Sequence, residues 1–345
     1  MRRAARPLLA LAALLLSLAA AELAARALVF ARTPKGMVFD PEIIYSYRPR
    51  AEVGGIVLND VGCVGDDLAG SADADLRVLL LGGSTSFSQG YVDTVRARLR
   101  ARLAGAEVAV MSCGKPRYTS ATNRVILDRM LPRLRPTAVV LYLGINDNIY
   151  NTFPWVDSLP DVGYFDWRSP RESLLVRMVR YHLLEKRLWS RPGFGPGELR
   201  SVAILTDNVE AMVGAATAAG AQVVLCSFAV ALPTDDPGLE ARIRSQEPVM
   251  EHFWGHVDST LLGVAAHNRA IAEIASRRGL PLAPVASLIP RDSRHFLDLC
   301  HLTAEGNRIL GEAVADALAG SDPRSRQGAP AVAGGSAPTR VGGRR

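Results

Sequence analysis

Arg77-Val-Leu-Leu-Leu-Gly-Gly-Ser84-Thr-Ser86 is an apolar run of strand length that breaks on two glycines and presents a serine. Far downstream, Asp298-Leu-Cys-His301 sets a carboxylate three residues before a histidine and just ahead of a helical pattern. A hydroxyl, an imidazole and a carboxylate are the parts needed to turn a weak alcohol into a nucleophile. The pattern between the two segments decides what holds them together.

That pattern alternates. Apolar runs at Arg77–Leu81, Glu107–Met111, Ala138–Leu143, Ala221–Val230 and Leu280–Leu288 read as strands. Helical spacing marks Tyr91–Leu103, Ser120–Leu134, residues 171–190 and 199–219, Leu261–Arg278 and Thr303–Ala319, the last opened by Thr303 as cap and Glu305 in the first turn. Strand–helix alternation with apolar strands predicts an α/β fold, its parallel sheet buried between helices. Ligand chemistry in such sheets sits at the carboxyl ends of the strands. Gly82-Gly83-Ser84, Cys113-Gly114 and Gly144-Ile-Asn146-Asp147 each follow a strand, so all three face one edge. Residues 148–170 and 231–258 break the alternation and read as loops over that edge.

The 345 residues carry a formal charge of +6, but the charge is terminal. Residues 1–32 hold five arginines against Glu22, and residues 320–345 five against Asp322, so each end holds +4 and the middle −2. A nucleic-acid face needs cations clustered on the fold itself, and that reading is rejected. Arg2, Arg3 and Arg6 precede an apolar stretch that resumes after Glu22 and Arg26, which can pair at i, i+4. Residues 1–32 are therefore read as an uncleaved signal anchor, with cleavage near Ala19-Ala20-Ala21 as the alternative. Either way the remainder is exported. Residues 33–75 are expected to wrap the domain, 76–319 to form it, and 320–345 to be a disordered basic tail. Of four cysteines, Cys226 reads as a buried free thiol, and Cys63 with Cys300 is the weakly favoured pair over Cys113.

Competing readings of the same residues are weaker. No GxxxxGK[ST] or GxGxxG accompanies the glycines, which disfavours a nucleotide site, and the GxSxG elbow is absent. Thr85 and Ser86 are expected to cap the following helix. His252 and His256 lie at i, i+4 but in the wrong order for HExxH, and read as solvent-facing loop residues more than metal ligands. Tyr150, Phe153, Trp155, Tyr164, Phe165 and Trp167 could stack on sugars, or simply anchor a long loop to the core, which is favoured.

Gly-Gly-Ser84-Thr, Cys113-Gly114, Gly144-Ile-Asn146-Asp147 and Asp298-Leu-Cys-His301, in that order over about residues 59–319, resemble the four blocks of the SGNH/GDSL hydrolases. The lead-in Asn59-Asp-Val-Gly62-Cys-Val-Gly65 resembles exported bacterial members. The resemblance implies a flavodoxin-like three-layer α/β/α sandwich with about five parallel strands. It implies a serine esterase with Ser84 as nucleophile, His301 as base and Asp298 as its orienter. The oxyanion would be held by the N–H groups of Ser84 and Gly114 and the Asn146 amide, with no metal or cofactor. Expected substrates are O-acyl, including O-acetyl, esters on an envelope or extracellular polysaccharide. A lipid esterase or thioesterase, an O-acyltransferase and a silent glycan-binding protein are the alternatives. Two departures stand out: Gly83 where the name-giving motif has Asp, and Arg117 where block two usually has a second glycine.

Overall fold

The computed structural model describes residues 2–321, apart from 157–161, 164, 170 and 171. Six strands form the central sheet: β1 (Val64–Gly65), β2 (Leu76–Gly82), β3 (Val108–Ser112), β4 (Ala138–Tyr142), β5 (Gln222–Cys226) and β6 (Leu282–Ala283). Their order is β6-β5-β4-β2-β3-β1; β1 is antiparallel and the other five are parallel. Every residue of β3 and β4 is buried, as strands covered on both faces must be. Taken alone, the five parallel strands follow the flavodoxin order, which places the switch point between β2 and β4.

Helices α2 (Gln89–Arg102), α3 (Ser120–Leu134), α4 (Leu174–Arg180), α5 (Arg200–Ala218), α6 (Pro237–Trp254), α7 (Val257–Arg278) and α8 (Ala304–Ser321) follow the long N-terminal helix α1 (Arg2–Arg32). α8 packs on α2 in one layer, and α5 on α3 and α7 in the other. The α2 face that meets the sheet is Tyr91, Val92, Val95 and Leu99.

The differences from expectation have local causes. The β5 strand stops at Cys226 because the Asn268 side-chain amide in α7 pairs with both the N–H (2.6 Å) and the C=O (3.0 Å) of Phe228. β6 is two residues long, since Pro281 and Pro284 flank it, and Val285–Leu288 coils into a helical turn. Residues 231–258 are not all loop: α6 fills most of them, capped by Asp236, which accepts from the N–H groups of Gly238 and Leu239 at 3.0 Å each. Gly255, at φ 89°, separates α6 from α7. His252 therefore lies on α6 and His256 stands just ahead of α7, both beside Glu251.

Residues 37–57 form two antiparallel hairpins, Met37–Asp40 with Ile44–Tyr47 and Glu52–Val53 with Ile56–Val57. Asp40 anchors them to Arg129 of α3 (2.7 Å), and Tyr118 donates to the Tyr45 carbonyl at 2.5 Å. The expected Cys63–Cys300 pair is not formed. Cys63 is bonded to Cys113, because antiparallel β1 sets Val64 opposite Ser112 and brings the flanking cysteines together. Cys226 and Cys300 are buried free thiols. The bridge spans 50 residues, a loop whose closure entropy corresponds to about 4 kcal/mol. Replacing both Cys63 and Cys113 with serine should lower the melting temperature clearly; an unchanged melting curve would show that the β1–β3 pairing holds without the bond.

Candidate active site

β2 ends where Gly82 pairs with Tyr142 of β4, so Ser84 and the Gly144-Ile-Asn146-Asp147 turn emerge side by side. Leu80 pairs with Ser112, which brings Cys113-Gly114 to the same edge. Ser84 opens a short 3₁₀ turn, Ser84–Ser86, and is partly exposed. The expected capping by Thr85 and Ser86 does not occur; both are buried in the turn, and Ser88 caps α2 by accepting from the Tyr91 N–H (3.3 Å).

The partner comes from the other end of the chain. A bridge between Phe296 and Leu302 closes a small loop, within which Asp298 folds back on its own backbone. Its Oδ1 accepts from the N–H groups of Cys300 (2.9 Å) and His301 (2.8 Å). Its Oδ2 lies 2.7 Å from His301 Nδ1, and His301 Nε2 lies 2.8 Å from Ser84 Oγ. A carboxylate only accepts, so Nδ1 carries the proton and Nε2 is left to accept from the serine hydroxyl.

Charge follows this geometry. Burial works to raise the Asp298 carboxyl, but the hydrogen bond and charge of His301 and the two N–H donors outweigh it and hold it low. His301 is raised above the ordinary imidazole range, by the charge a Cys300 thiolate would place beside it and by its bond to Asp298. Burial pushes the Cys300 thiol itself up. At neutral pH the sulfur therefore keeps its proton, and Asp298 is the charge that acts on the imidazole.

Asn146 is held from both ends. Its Nδ2 donates to the Tyr118 carbonyl (3.0 Å), and its Oδ1 accepts from Trp254 Nε1 (3.1 Å). An indole only donates and a carbonyl only accepts, so these two contacts fix which way the amide faces. Nδ2 also lies 2.5 Å from where a Cβ on residue 83 would stand, which accounts for Gly83 in place of Asp. Gly114 is equally tight: a Cβ there would meet Ser86 Cβ at 2.7 Å and the Gly82 and Gly83 carbonyls at 3.0 Å. Its lack of a side chain thus serves close packing of the Ser84 turn. Arg117, in the usual second-glycine place, adopts φ 66° and lays its guanidinium over the Phe253 ring at 3.5 Å. Asp147 is buried and accepts from the Ser120 N–H and hydroxyl at the start of α3; burial raises its carboxyl to about 7.

Trp254 is the residue that reading the sequence missed. It ends α6, 108 residues from Asn146, within a stretch that carries no local mark of a site. Of the aromatic insertion, Tyr150 and Phe153 are buried, Trp155 packs edge-on against Phe153 and Trp189, Phe165 packs on Tyr181, and Trp167 packs on Phe30 of α1. These contacts match the anchoring reading; Tyr164 lies outside the described residues. Among the described residues, Asp298, Cys300 and His301 form the one cluster with metal-ligand atoms close together, and its Asp and His are engaged with each other and with Ser84.

A family profile for GDSL-like lipases and acylhydrolases matches residues 63–309. The chain belongs to this family. The acylhydrolase is thus an ester-hydrolysing enzyme with a GDSL-type fold. Among solved structures, a GDSL-like lipase from Bacteroides thetaiotaomicron VPI-5482 matches it at 16% identity over 70% of this chain and 87% of that one, with a TM-score of 0.43. TesA matches at 19% identity over 70% and 97%, with a TM-score of 0.40. A catalytic mutant of the acetylxylan esterase Axe2 from Geobacillus stearothermophilus matches at 12% over 72% and 96%, with a TM-score of 0.44. No curated protein matches the chain significantly.

Proposed function

We propose that this acylhydrolase is a membrane-anchored, exported serine esterase in which Ser84, His301 and Asp298 do the chemistry. The observation that carries the reading is the unbroken chain Asp298 Oδ2–His301–Ser84 Oγ, with links of 2.7 and 2.8 Å. His301 Nε2 takes the proton as Ser84 Oγ attacks the ester carbonyl. The tetrahedral oxyanion is met by the N–H groups of Ser84 and Gly114 and by the Asn146 amide. Collapse breaks the bond to the alcohol, which leaves with the proton from His301, and water then repeats the sequence on the acyl-enzyme. Purified enzyme should hydrolyse p-nitrophenyl acetate; no turnover by folded protein would overturn the reading.

The acyl group we assign is small, acetyl above all. The cavity beside Ser84, walled by Tyr142, Leu143, Ile145, Asn146 and Phe228, holds about 10 Å³, the volume at which a single water molecule begins to fit. Its floor is closed by Phe228 stacked on buried Tyr142, ring centroids 4.8 Å apart. So tight a cavity favours the smallest acyl group. kcat/KM for p-nitrophenyl acetate should exceed that for the octanoate by about two orders of magnitude, as oversized groups in a fixed pocket lose heavily. Phe228→Ala should narrow that ratio. Equal rates on both esters with the unaltered enzyme would count against a small-acyl site.

Two features support export. Helix Arg6–Arg32 is long and apolar enough to cross a bilayer, and the Cys63–Cys113 bond suits an oxidising compartment. An esterase tethered outside the cell with so small a cavity beside its serine is suited to acetyl esters, and O-acetylated polysaccharide is the substrate class we propose.

A further inference from the structure

Leu174–Trp189, made of α4 and the π-helical turn Tyr181–Trp189 that continues it, is amphipathic in the sense opposite to a water-facing helix. Its buried stripe is Leu174, Arg177, Tyr181 and Glu185, at three- and four-residue spacing, and it turns in an arginine 8% exposed and a glutamate 7% exposed. Its outer face carries Val176 (62% exposed), Val179 (48%), Leu183 (52%) and Leu188 (70%), with Trp189 (45%) at the end. Water favours the reverse, charges out and aliphatics in. Single exposed leucines are ordinary, whereas a continuous apolar stripe marks a contact surface. The charges left at the surface are the cations Arg180 and Arg187, with Lys186 half-buried; Glu185 is the only acid in the segment.

Its position names the partner. Glu22 of α1 accepts from the Leu174 and Leu175 N–H groups (2.9 Å each) and from the Ser173 hydroxyl (2.7 Å), so it holds the start of α4. Arg26 donates to the Trp167 carbonyl at 2.7 Å and the Ser169 carbonyl at 3.0 Å. Exposed apolar side chains of α1 run from Leu8 to Leu18 and continue at Leu23, Leu28 and Phe30, on the same stretch whose Glu22 and Arg26 dock on the domain. α4 therefore begins beside Glu22, the first charged residue of α1 after the uncharged stretch Pro7–Ala21. An apolar stripe, flanking cations and a terminal tryptophan are what a helix lying in a lipid interface requires.

We propose that Leu174–Trp189 is a second membrane-contacting element, lying in the headgroup–acyl boundary of the bilayer that α1 crosses. The proposal rests on the anchor reading of α1. It gives the esterase a fixed face toward the membrane, and Tyr181 of the same segment neighbours Arg117, which stacks on Phe253 next to Trp254.

The test uses the full chain with single replacements Leu15→Cys, Leu183→Cys, Leu188→Cys and Val249→Cys, each labelled with the fluorophore NBD. All four side chains are exposed, while the native cysteines are buried or disulfide-bonded. The proteins are placed in phosphatidylcholine vesicles containing some phosphatidylglycerol, with and without doxyl-labelled lipid. Labels at 183 and 188 should be quenched roughly twofold or more beyond the label at 249, because an interfacial helix buries its apolar face about 5–10 Å deep. Quenching at 183 and 188 no greater than at 249 overturns the proposal, and so does shielding there without lipid quenching, which would point to a second copy. The label at 15 separates the two readings: quenched at 15 but not at 183, the anchor stands and the second element falls.

Discussion

Ser84→Ala should lower ester hydrolysis by at least about a thousandfold with folding intact, and His301→Ala should lower it by a similar factor. The double variant is barely worse than either, because hydroxyl and imidazole act as a unit and removing one idles the other. Ser84 is partly exposed and its hydroxyl's partner is His301, so replacing it opens no core cavity, and thermal melting should be unchanged. The pH profile carries the same argument. His301 must be neutral to take the serine proton, and its bond to Asp298 favours the charged form. The acid limb of kcat/KM therefore lies above the ordinary imidazole value of about 6.5. Activity falls as pH drops through that limb and is full above it. If burial keeps Cys300 protonated, Cys300→Ser leaves the limb in place, whereas a downward shift would show a thiolate beside the imidazole. A Ser84→Ala enzyme retaining most of its activity would remove the serine from the chemistry altogether.

How much of this was legible depends on whether the cause is local. The strands around Val78–Leu81, Val108–Met111 and Val139–Leu141 are apolar on both faces, and that composition admits little besides a covered parallel sheet. Ser84, Asn146 and His301 are legible because each follows or precedes a periodic element, so their shared edge follows from topology before any distance is known. The disulfide is different. Cys63 finds Cys113 only through the antiparallel register of a two-residue strand, and no propensity marks Val64-Gly65 as a strand. The segment 231–258 reads as a loop because α6 is charged along most of its length and buries only Leu239 and Ile243. At Leu174–Trp189 the helical period is visible, but periodicity does not say which stripe turns inward; burial of Arg177 and Glu185 does.

Asn146→Ala should lower kcat by about a hundredfold or more with KM little changed, since the oxyanion donor we propose it to be would act chiefly on the transition state. The prediction can be sharpened because this amide is oriented by named partners. Tyr118 accepts one N–H through its backbone carbonyl, which no side-chain change removes. Trp254 donates to the amide oxygen, and Trp254→Phe keeps the ring against its surroundings while deleting that donor. The amide is then held only through its nitrogen by the Tyr118 carbonyl, and its oxygen end is free to move, so the remaining N–H is less firmly aimed at the developing anion. Trp254→Phe should therefore lower kcat by about tenfold, less than Asn146→Ala, again with KM held. In the Asn146→Ala background the same change should have almost no further effect, because the indole acts through the amide it holds. Losses that multiply in the double variant would mean that Trp254 contacts the substrate itself. Unchanged turnover in Asn146→Ala would take the amide out of the oxyanion site and leave the charge to the backbone donors of Ser84 and Gly114.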